Sequence, residues 1–265
     1  MANVGFIGCG NMATAIIKGI LGKQLVGPEQ IRATDTQQAH AQAKSAELGI
    51  QVGTSNEDVA AWADVLFLSV KPQHYEGVIS QVKGVRKESA VVVTIAPGKT
   101  LAWLGERFNE GTKIVRCMPN TPALVGEGFT SYCPNALVTD DDLAQVEALL
   151  DSFGKRCRMA ENLIDAASAV GGSAPAFVYA FIESLADGGV AEGLPRALAY
   201  QVAAQTVLGS AKMVLESGRH PGALKDDVCS PAGSTIKGME VLEKGAFRGV
   251  VIDAVRTTAA AARGL

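Results

Sequence analysis

Residues 2–13 read Ala-Asn-Val-Gly-Phe-Ile-Gly-Cys-Gly-Asn-Met-Ala, an apolar strand pattern that runs directly into the sequence G-x-G-x-x-A. In such a sequence Gly8 allows a tight turn from strand to helix, and Gly10 lets the backbone approach a pyrophosphate. Ala13 keeps the following helix close to the sheet, and the N-terminus of that helix faces the phosphates. A second strand pattern at residues 30–35 follows at the spacing of a βαβ unit. We therefore predict a dinucleotide-binding site here rather than a glycine turn that serves only packing.

Strand and helix patterns alternate up to about residue 160. Apolar strand patterns occur at 4–8, 31–34, 65–70, 90–95, 114–118, 129–133 and 156–159. Helical patterns at 56–62, 75–82 and 101–108 separate several of them, and an acidic helix start follows Thr139. This alternation is typical of an α/β fold with a parallel, doubly wound sheet. We therefore predict residues 1–160 to be the dinucleotide-binding domain.

The remainder of the chain has only helical patterns. They cover 161–191, 195–217, 222–228, 234–243 and 247–262, and they are rich in small residues and poor in charge. Such helices approach closely but seldom cover their own apolar faces, so we predict residues 161–265 to be an all-α dimerisation domain. The stretch 166–182 is apolar enough to suggest a membrane span. Its glycines and Pro175 favour a buried or subunit-interface helix instead.

The composition is that of a soluble cytoplasmic enzyme. Charged residues make up only 19% of the 265 residues, below the roughly 25% of ordinary soluble domains, which suggests apolar surface hidden between subunits. A net charge of −3 argues against nucleic acid or an anionic membrane as a partner. Five scattered cysteines without a C-x-x-C pair indicate reduced thiols. A first strand pattern this close to residue 1 leaves no room for a secretory signal.

Three stiff loops follow strand patterns, where ligands of doubly wound sheets bind. They are Val-Lys-Pro (70–72), Ala-Pro-Gly (96–98) and Met-Pro-Asn-Thr-Pro (118–122). Each alone is compatible with an ordinary turn, but three loops at one rim favour a pocket, to which Asn120 contributes a polar group.

The residue after the second strand bears on the cofactor. An acidic residue there holds the ribose hydroxyls of NADH and disfavours a 2′-phosphate, so Asp35 favours NADH. No Arg or Lys lies between Asp35 and His40. Thr34, Thr36 and Asn56 could still meet a 2′-phosphate, which leaves NADPH, or both cofactors, open.

A second informative segment is Ser-Pro-Ala-Gly-Ser-Thr-Ile (230–236), which opens a helix. Its backbone N–H groups could bind an anion, or Ser230 or Ser234 could simply cap the helix. The three histidines do not cluster with acids or cysteines, so we expect neither a metal site nor a nucleophilic triad.

Together these segments resemble pyrroline-5-carboxylate reductases over essentially the whole chain. The resemblance rests on residues 5–13, 70–73, 116–122, 171–178, 185–190 and, most specifically, Leu-Lys-Asp-Asp-Val-Cys-Ser-Pro-Ala-Gly-Ser-Thr-Ile (224–236). It implies a Rossmann domain followed by a helical domain that interlocks with a partner, so that both chains complete each substrate site. Departures from the family pattern at 171–175 and at Pro97 put fine pocket geometry in doubt, not the reaction.

The resemblance also implies site residues. The cofactor would contact Gly8, Gly10, Asn11, Met12, Asp35, Asn56, Val70, Lys71, Pro72, Ala96 and Asn120. The substrate carboxylate would sit on backbone N–H groups of Gly233, Ser234 and Thr235, beside Ser230. The Thr235 hydroxyl would lie near the substrate ring nitrogen as the catalytic group.

The implied reaction passes a hydride from NADPH or NADH to the imine carbon of 1-pyrroline-5-carboxylate, which gives L-proline, the last step of proline synthesis. A cyclic imine can be protonated in water, so orientation rather than a strong acid would carry catalysis. Two alternatives remain. β-Hydroxyacid dehydrogenases resemble this layout but need an early lysine, and residues 162–211 contain none. A non-catalytic NAD(P) sensor would not need an anion site at 230–236.

Overall fold

A computed structural model describes residues 2–263. Its strands are β1 (Val4–Ile7), β2 (Ile31–Thr34), β3 (Gln51–Val52), β4 (Val65–Leu68), β5 (Val91–Thr94), β6 (Lys113–Met118), β7 (Gly128–Pro134) and β8 (Gly154–Arg158). Its α-helices are α1 (Asn11–Gly22), α2 (Gln38–Leu48), α3 (Asn56–Trp62), α4 (Tyr75–Val82), α5 (Leu101–Gly105), α6 (Asp140–Leu150), α7 (Glu161–Ser168), α8 (Ala174–Ala191), α9 (Arg196–Ser217), α10 (Pro221–Val228), α11 (Ser234–Lys244) and α12 (Phe247–Arg263).

The strands form one sheet in the order β3-β2-β1-β4-β5-β6-β7-β8. Strands β1 and β4 are buried along their whole length, and helices cover both faces with two separate hydrophobic clusters. One cluster includes α1 and α6, and the other includes α3, α4 and α5. This is the doubly wound architecture expected from a chain that alternates strands and helices. The predicted α/β class is confirmed.

The expectation of a wholly parallel sheet is wrong at one place, because β6 and β7 pair antiparallel. Only a short 3₁₀ turn (Thr121–Val125) joins them, and a parallel pair needs a crossover of a dozen or more residues. Strand β7 can therefore only return alongside β6. The crossover through α6 then makes β8 parallel to β7.

The long helix predicted at 161–191 is interrupted. α7 ends at Ser168, a π-helical segment covers Ala169–Ser173, and α8 starts at Ala174. Pro175 explains the interruption, because proline has no N–H to donate and its ring collides with the carbonyl four residues earlier.

Contacts group the residues up to Gly172, with those from Ala259 onward, into one compact unit, and Ser173–Thr258 into another. We call these the α/β unit and the helical unit. Helix α7 belongs to the α/β unit, where Ile164 is buried. The division at residue 160 stays a prediction about which parts fold and function separately.

The helical unit buries few side chains of its own. Its buried cluster consists of Ala186, Ala199 and Ala203, whereas large apolar side chains along α8, α9, α11 and α12 are exposed. In the described part of the chain, the helical stretch 161–191 is long and apolar enough to cross a membrane, which on length and composition alone is weak evidence of a span. Only 11% of the most apolar 18 residues of this stretch are buried, so they do not form a core helix of this chain.

Candidate active site

The glycine loop between β1 and α1 has the geometry of a nucleotide cradle. Gly8 has a φ of +96°, and a Cβ there would lie 2.8 Å from the Ser69 carbonyl oxygen and 3.1 Å from a Val70 methyl group. Gly10 is the N-cap of α1, is exposed, and would have open space around a Cβ. No side chain caps the helix, so its first N–H groups are available to an anion. The residues present therefore fit a dinucleotide pyrophosphate.

The two residues that follow Gly10 begin α1. Asn11 is exposed, and Met12 is half-buried against the hydrophobic cluster beneath the loop. Ala13 is buried, which allows the close approach of helix and sheet that the sequence predicted. Their backbone N–H groups belong to the unpaired first turn, so these positions can serve the phosphates through the main chain.

Asp35 holds the glycine loop in place. Its carboxylate accepts a hydrogen bond from the Cys9 backbone N–H at 3.0 Å and another from the Gln37 N–H at 3.0 Å, and His40 Nδ1 lies 3.4 Å away. Burial alone would raise the pKa of Asp35, but these hydrogen bonds outweigh burial and lower it. One carboxylate oxygen thus bonds to the glycine loop and the other to the start of the α2 segment, two contacts that the sequence did not predict.

Buried Tyr75 joins the carboxyl ends of β4 and β5, where two of the predicted loops begin. Its hydroxyl donates to the Leu68 carbonyl at 2.6 Å and accepts from the Ile95 N–H at 3.3 Å. Burial raises the pKa of Tyr75, so the hydroxyl stays protonated and can donate. Beyond these strands, Lys71 is exposed and caps a 3₁₀ turn that starts at Pro72, and Ala96 is buried.

Two predicted cofactor residues have side-chain amides that bond to protein groups. Asn56 starts α3, and its Nδ2 donates to Gln81 Oε1 at 2.6 Å. Asn120 Nδ2 donates to the Gly171 carbonyl at 2.9 Å, and Asn120 Oδ1 accepts from the Phe129 N–H at 2.8 Å. Contact of these two positions with a cofactor stays a prediction.

A charge cluster around the buried Arg116 lies near the end of β6. The Arg116 side chain is only 2% exposed, and its guanidinium binds Glu161 Oε1 at 3.0 Å and Asp165 Oδ1 at 2.7 Å. Glu161 Oε1 also accepts the Leu101 N–H at 2.6 Å. A buried guanidinium is costly unless it is paired, so this cluster fixes α7 and the start of α5 against the sheet.

In the helical unit, the start of α11 leaves backbone donors free of side-chain caps. The N-cap is Gly233, with no side-chain hydrogen bond, so the alternative of capping by Ser230 or Ser234 is not observed. The Gly233 N–H donates to the Ser230 carbonyl at 3.0 Å, while Ser234 and Thr235 open the helix and are exposed. A Cβ on Gly233 would lie 2.4 Å from Ser230 Oγ, so a larger residue there would have to displace the exposed Ser230 hydroxyl.

The structure brings Gly8, Cys9, Asp35 and Val70 together at one rim of the α/β unit. Ser230, Gly233, Ser234 and Thr235 lie together in the helical unit. Among the described residues no group of acids, histidines and cysteines could hold a metal ion. Burial, with Asp35 nearby, raises the pKa of the Cys9 thiol to about 12, so Cys9 is not a thiolate nucleophile at neutral pH.

Sequence reasoning did not single out Tyr75 or Arg116. Their positions offered hints, since a tyrosine at a helix start and an arginine within an apolar strand both need polar partners when they are buried. Those partners lie on other elements, so their identity could not be read locally.

A doubly wound sheet with this glycine loop defines a dinucleotide-binding protein of the Rossmann type. A family model described as NADP oxidoreductase, coenzyme F420-dependent, matches residues 3–98, and one described as pyrroline-5-carboxylate reductase dimerisation matches residues 161–265.

Comparison with individual proteins is more specific. The pyrroline-5-carboxylate reductase of Escherichia coli (strain K12) is 47% identical over 252 residues, which cover 95% of this chain and 94% of that protein. The protein of the same name from Arabidopsis thaliana is 40% identical over 99% of this chain and 95% of its own length. The solved Plasmodium falciparum pyrroline carboxylate reductase, with NADP bound, superposes with a TM-score of 0.91 at 33% identity, covering 99% of this chain and 97% of that one. The chain belongs to the pyrroline-5-carboxylate reductase family.

Proposed function

We propose that this chain reduces 1-pyrroline-5-carboxylate to L-proline with a reduced nicotinamide cofactor. Family membership over nearly the whole chain supports the reaction. The observation in the molecule that carries the proposal is that one chain contains both a nucleotide cradle, in the α/β unit, and an uncapped helix start, in the helical unit. A sensor of NAD(P) would need the first feature but not the second.

The α/β unit binds the cofactor. Gly8 and Gly10 admit the pyrophosphate to the first turn of α1, where the N–H groups of Asn11 and Met12 face the negative charge. The nicotinamide end would lie at the rim formed by the loops after β4, β5 and β6. The residues proposed to be there are Val70, Lys71, Pro72, Ala96 and Asn120. The cofactor is NADPH or NADH. The prediction that Asp35 favours NADH depends only on its position after β2, because its carboxylate already accepts hydrogen bonds from the Cys9 and Gln37 N–H groups.

The helical unit binds the substrate carboxylate. The first N–H groups of α11, those of Ser234 and Thr235, have no intrahelical partner, and the helix dipole favours an anion there. The Gly233 N–H is already bonded to the Ser230 carbonyl, so Gly233 shapes the turn rather than supplying a donor. Ser230 and Thr235 add hydroxyl groups on the exposed side of the same turn.

Catalysis rests on orientation. A reduced nicotinamide bound here would supply a hydride to the imine carbon, while the imine nitrogen takes its proton from water. Thr235 orients the ring nitrogen through its hydroxyl, since an ordinary threonine is a poor acid and the imine can take its proton from water. Holding the reduced nicotinamide and the imine in one geometry removes the need for them to meet by diffusion, and we expect this to account for much of the rate enhancement.

The chain self-associates, as supported by the match of residues 161–265 to a dimerisation family and by the exposed apolar side chains of the helical unit. We propose a homodimer or a larger homo-oligomer in which both chains complete each substrate site. The membrane-length stretch 161–191 is interrupted by a π-helical segment, and we assign its second part, α8 with its exposed apolar side chains, to this association. We further propose that neither nucleic acid nor an anionic membrane is a partner, which the net charge of −3 supports, and that the protein works in the cytoplasm.

The test is the loss of reduced-nicotinamide absorbance with pyrroline-5-carboxylate, run in parallel with NADPH and NADH. We expect saturable oxidation that depends on the imine, and the ratio of the two kcat/KM values gives the cofactor preference. Thr235→Ala should lower kcat/KM about a hundredfold while nucleotide affinity is unchanged. Tight nucleotide binding without turnover would overturn the reductase and favour a sensor, and full activity of Thr235→Ala would remove that residue from the site.

A further inference from the structure

The carbonyl of Gly171 lacks its usual helical partner for a reason that is visible in the sequence. In an α-helix this oxygen would accept from the N–H four residues later, and that residue is Pro175, which has none. The chain widens into a π-helical segment there, from Ala169 to Ser173. Such segments are rare, and they often occur at functional sites.

A side chain from the loop that follows β6 supplies a donor instead. Asn120 Nδ2 donates to the Gly171 carbonyl at 2.9 Å, across 51 residues of sequence. The other end of the same carboxamide accepts from the Phe129 N–H at 2.8 Å. Asn120 thus bonds both to the π-helical segment and to the start of β7, so its position is set from two sides.

The loop that Asn120 occupies is well placed to affect the reaction. It follows β6, which is parallel to β5, so it lies at the rim where the carboxyl ends of the parallel strands meet. Two residues before β6 ends, Arg116 anchors α7 through Glu161 and Asp165, which fixes the helix that leads into the π-helical segment. The loop and that segment are therefore attached to each other at two successive points along the chain.

We propose that Asn120 is a positioning residue that holds the 118–122 loop against the π-helical segment, rather than a side chain that binds the cofactor. This inference rests on the proposed function, since the loop matters for turnover only if the rim holds a nicotinamide. The backbone of the loop then presents a fixed surface to the reacting end of the cofactor. Releasing the loop misplaces the reactants without removing a nucleotide contact.

The chain offers a matched control at the opposite end of β6. Asn135 Nδ2 donates to the Thr112 carbonyl at 2.8 Å, and its Oδ1 accepts from the Ile114 N–H at 3.2 Å. Asn120→Asp and Asn135→Asp therefore make the same chemical change: each keeps the acceptor, loses the donor and sets a carboxylate against a backbone carbonyl. Only the first lies at the proposed site.

The experiment measures kcat with saturating substrates, NADPH affinity by titration of the substrate-free protein, and hydrogen exchange of peptides covering 118–130 and 165–176. Asn120→Asp should lower kcat at least about tenfold, change the NADPH Kd less than about threefold, and speed exchange in both peptides. Asn135→Asp should leave kcat within about twofold of the parent protein.

Three results would overturn the proposal: unchanged exchange in Asn120→Asp, equal kcat in the two variants, or a loss of NADPH affinity beyond about tenfold in Asn120→Asp, which would mark a direct contact. Failure of the proposed function is a separate result, seen as absence of turnover in the parent protein. In that case the exchange comparison still decides whether Asn120 holds the loop.

Discussion

The two units of this chain use apolar residues in opposite ways. In the α/β unit, strands and helices bury their apolar side chains against one another, and Phe6 and Phe67 stack at 4.8 Å in the middle of the sheet. In the helical unit the buried cluster is made of three alanines, while side chains such as Leu208 and Val250 are exposed. Monomeric proteins seldom expose contiguous apolar surface on this scale.

The difference separates what one chain can do from what it needs a second chain to do. The α/β unit has a complete core, and its nucleotide cradle is formed from its own residues. The helical unit carries the proposed substrate loop but lacks a core of comparable size, so we expect a partner to cover it. Nucleotide binding should therefore survive loss of the oligomer, whereas turnover should not.

Leu208→Asp should have the largest effect. Leu208 lies in α9 and is 56% exposed in the single chain. A carboxylate buried without a partner in a subunit contact costs roughly 3–5 kcal/mol, so the assembly should dissociate and kcat/KM should fall at least about a hundredfold. Size-exclusion chromatography with light scattering, followed by the reductase assay, measures both.

The control for that variant is Val85→Asp, because Val85 is 44% exposed but belongs to the α/β unit. It should keep the parent mass and activity, and Leu208→Asp should keep its NADPH affinity. An unchanged mass for Leu208→Asp would show that this part of α9 does not contact a partner.

Gly8→Ala should weaken nucleotide binding while the oligomer persists. The positive φ at Gly8 costs an alanine about 1–3 kcal/mol, and its Cβ would press on the Ser69 carbonyl. We expect the NADPH Kd to rise about tenfold or more. Gly77→Ala is the matched control, since Gly77 lies in α4 with open space around it. That variant should be stabilised by about 0.5–1 kcal/mol, and equal affinities in the two variants would argue against the cradle.

Acid pH should have the smallest effect, confined to the α/β unit. The lowered pKa of Asp35 means that its contribution is complete above the unfolded value of about 3.9 and is lost as the pH falls through the folded value. NADPH affinity, titrated from pH 7 downward, should therefore decline in acid, as the pH falls through the lowered pKa of Asp35 in the parent protein. Asp35→Asn should bind NADPH a few-fold more weakly at pH 7, and its NADPH affinity should depend less on pH in acid.

The control for the acid effect is Asp64. Burial would raise its pKa, but hydrogen bonds from Lys87 and the Asn3 N–H lower it, at the opposite end of the sheet. Asp64→Asn should change stability in acid but leave NADPH affinity as it is. If NADPH affinity still falls steeply in acid in Asp35→Asn, the titrating group is not Asp35.

The features that could be predicted from sequence are those set by neighbouring residues. Strand β2 and helices α3 and α4 have the predicted bounds, and the Ser55 side chain that caps α3 shows how local chemistry sets such a boundary. The turn predicted at Gly8 is likewise local, since it has a positive φ. Helix α2 was missed because it buries only Ala41 and so has little apolar periodicity.

The features that could not be predicted depend on partners far away in the chain. The antiparallel return of β7, the Asn120 bond to Gly171, and the pairing of Arg116 with α7 all join residues distant in sequence. Each needs the assembled sheet before its geometry exists. The resemblance to a family supplied the roles of residues 230–235, which the residues alone left open between an anion site and a helix cap.

The most direct test follows the hydride itself. NADPH carrying deuterium at nicotinamide C4, prepared separately on each face, is incubated with the protein and 1-pyrroline-5-carboxylate, and the product is analysed by mass spectrometry and NMR. Our account predicts L-proline with one deuterium at C5 from one of the two labelled forms and none from the other. Proline without deuterium from both forms, or no proline at all, would contradict it.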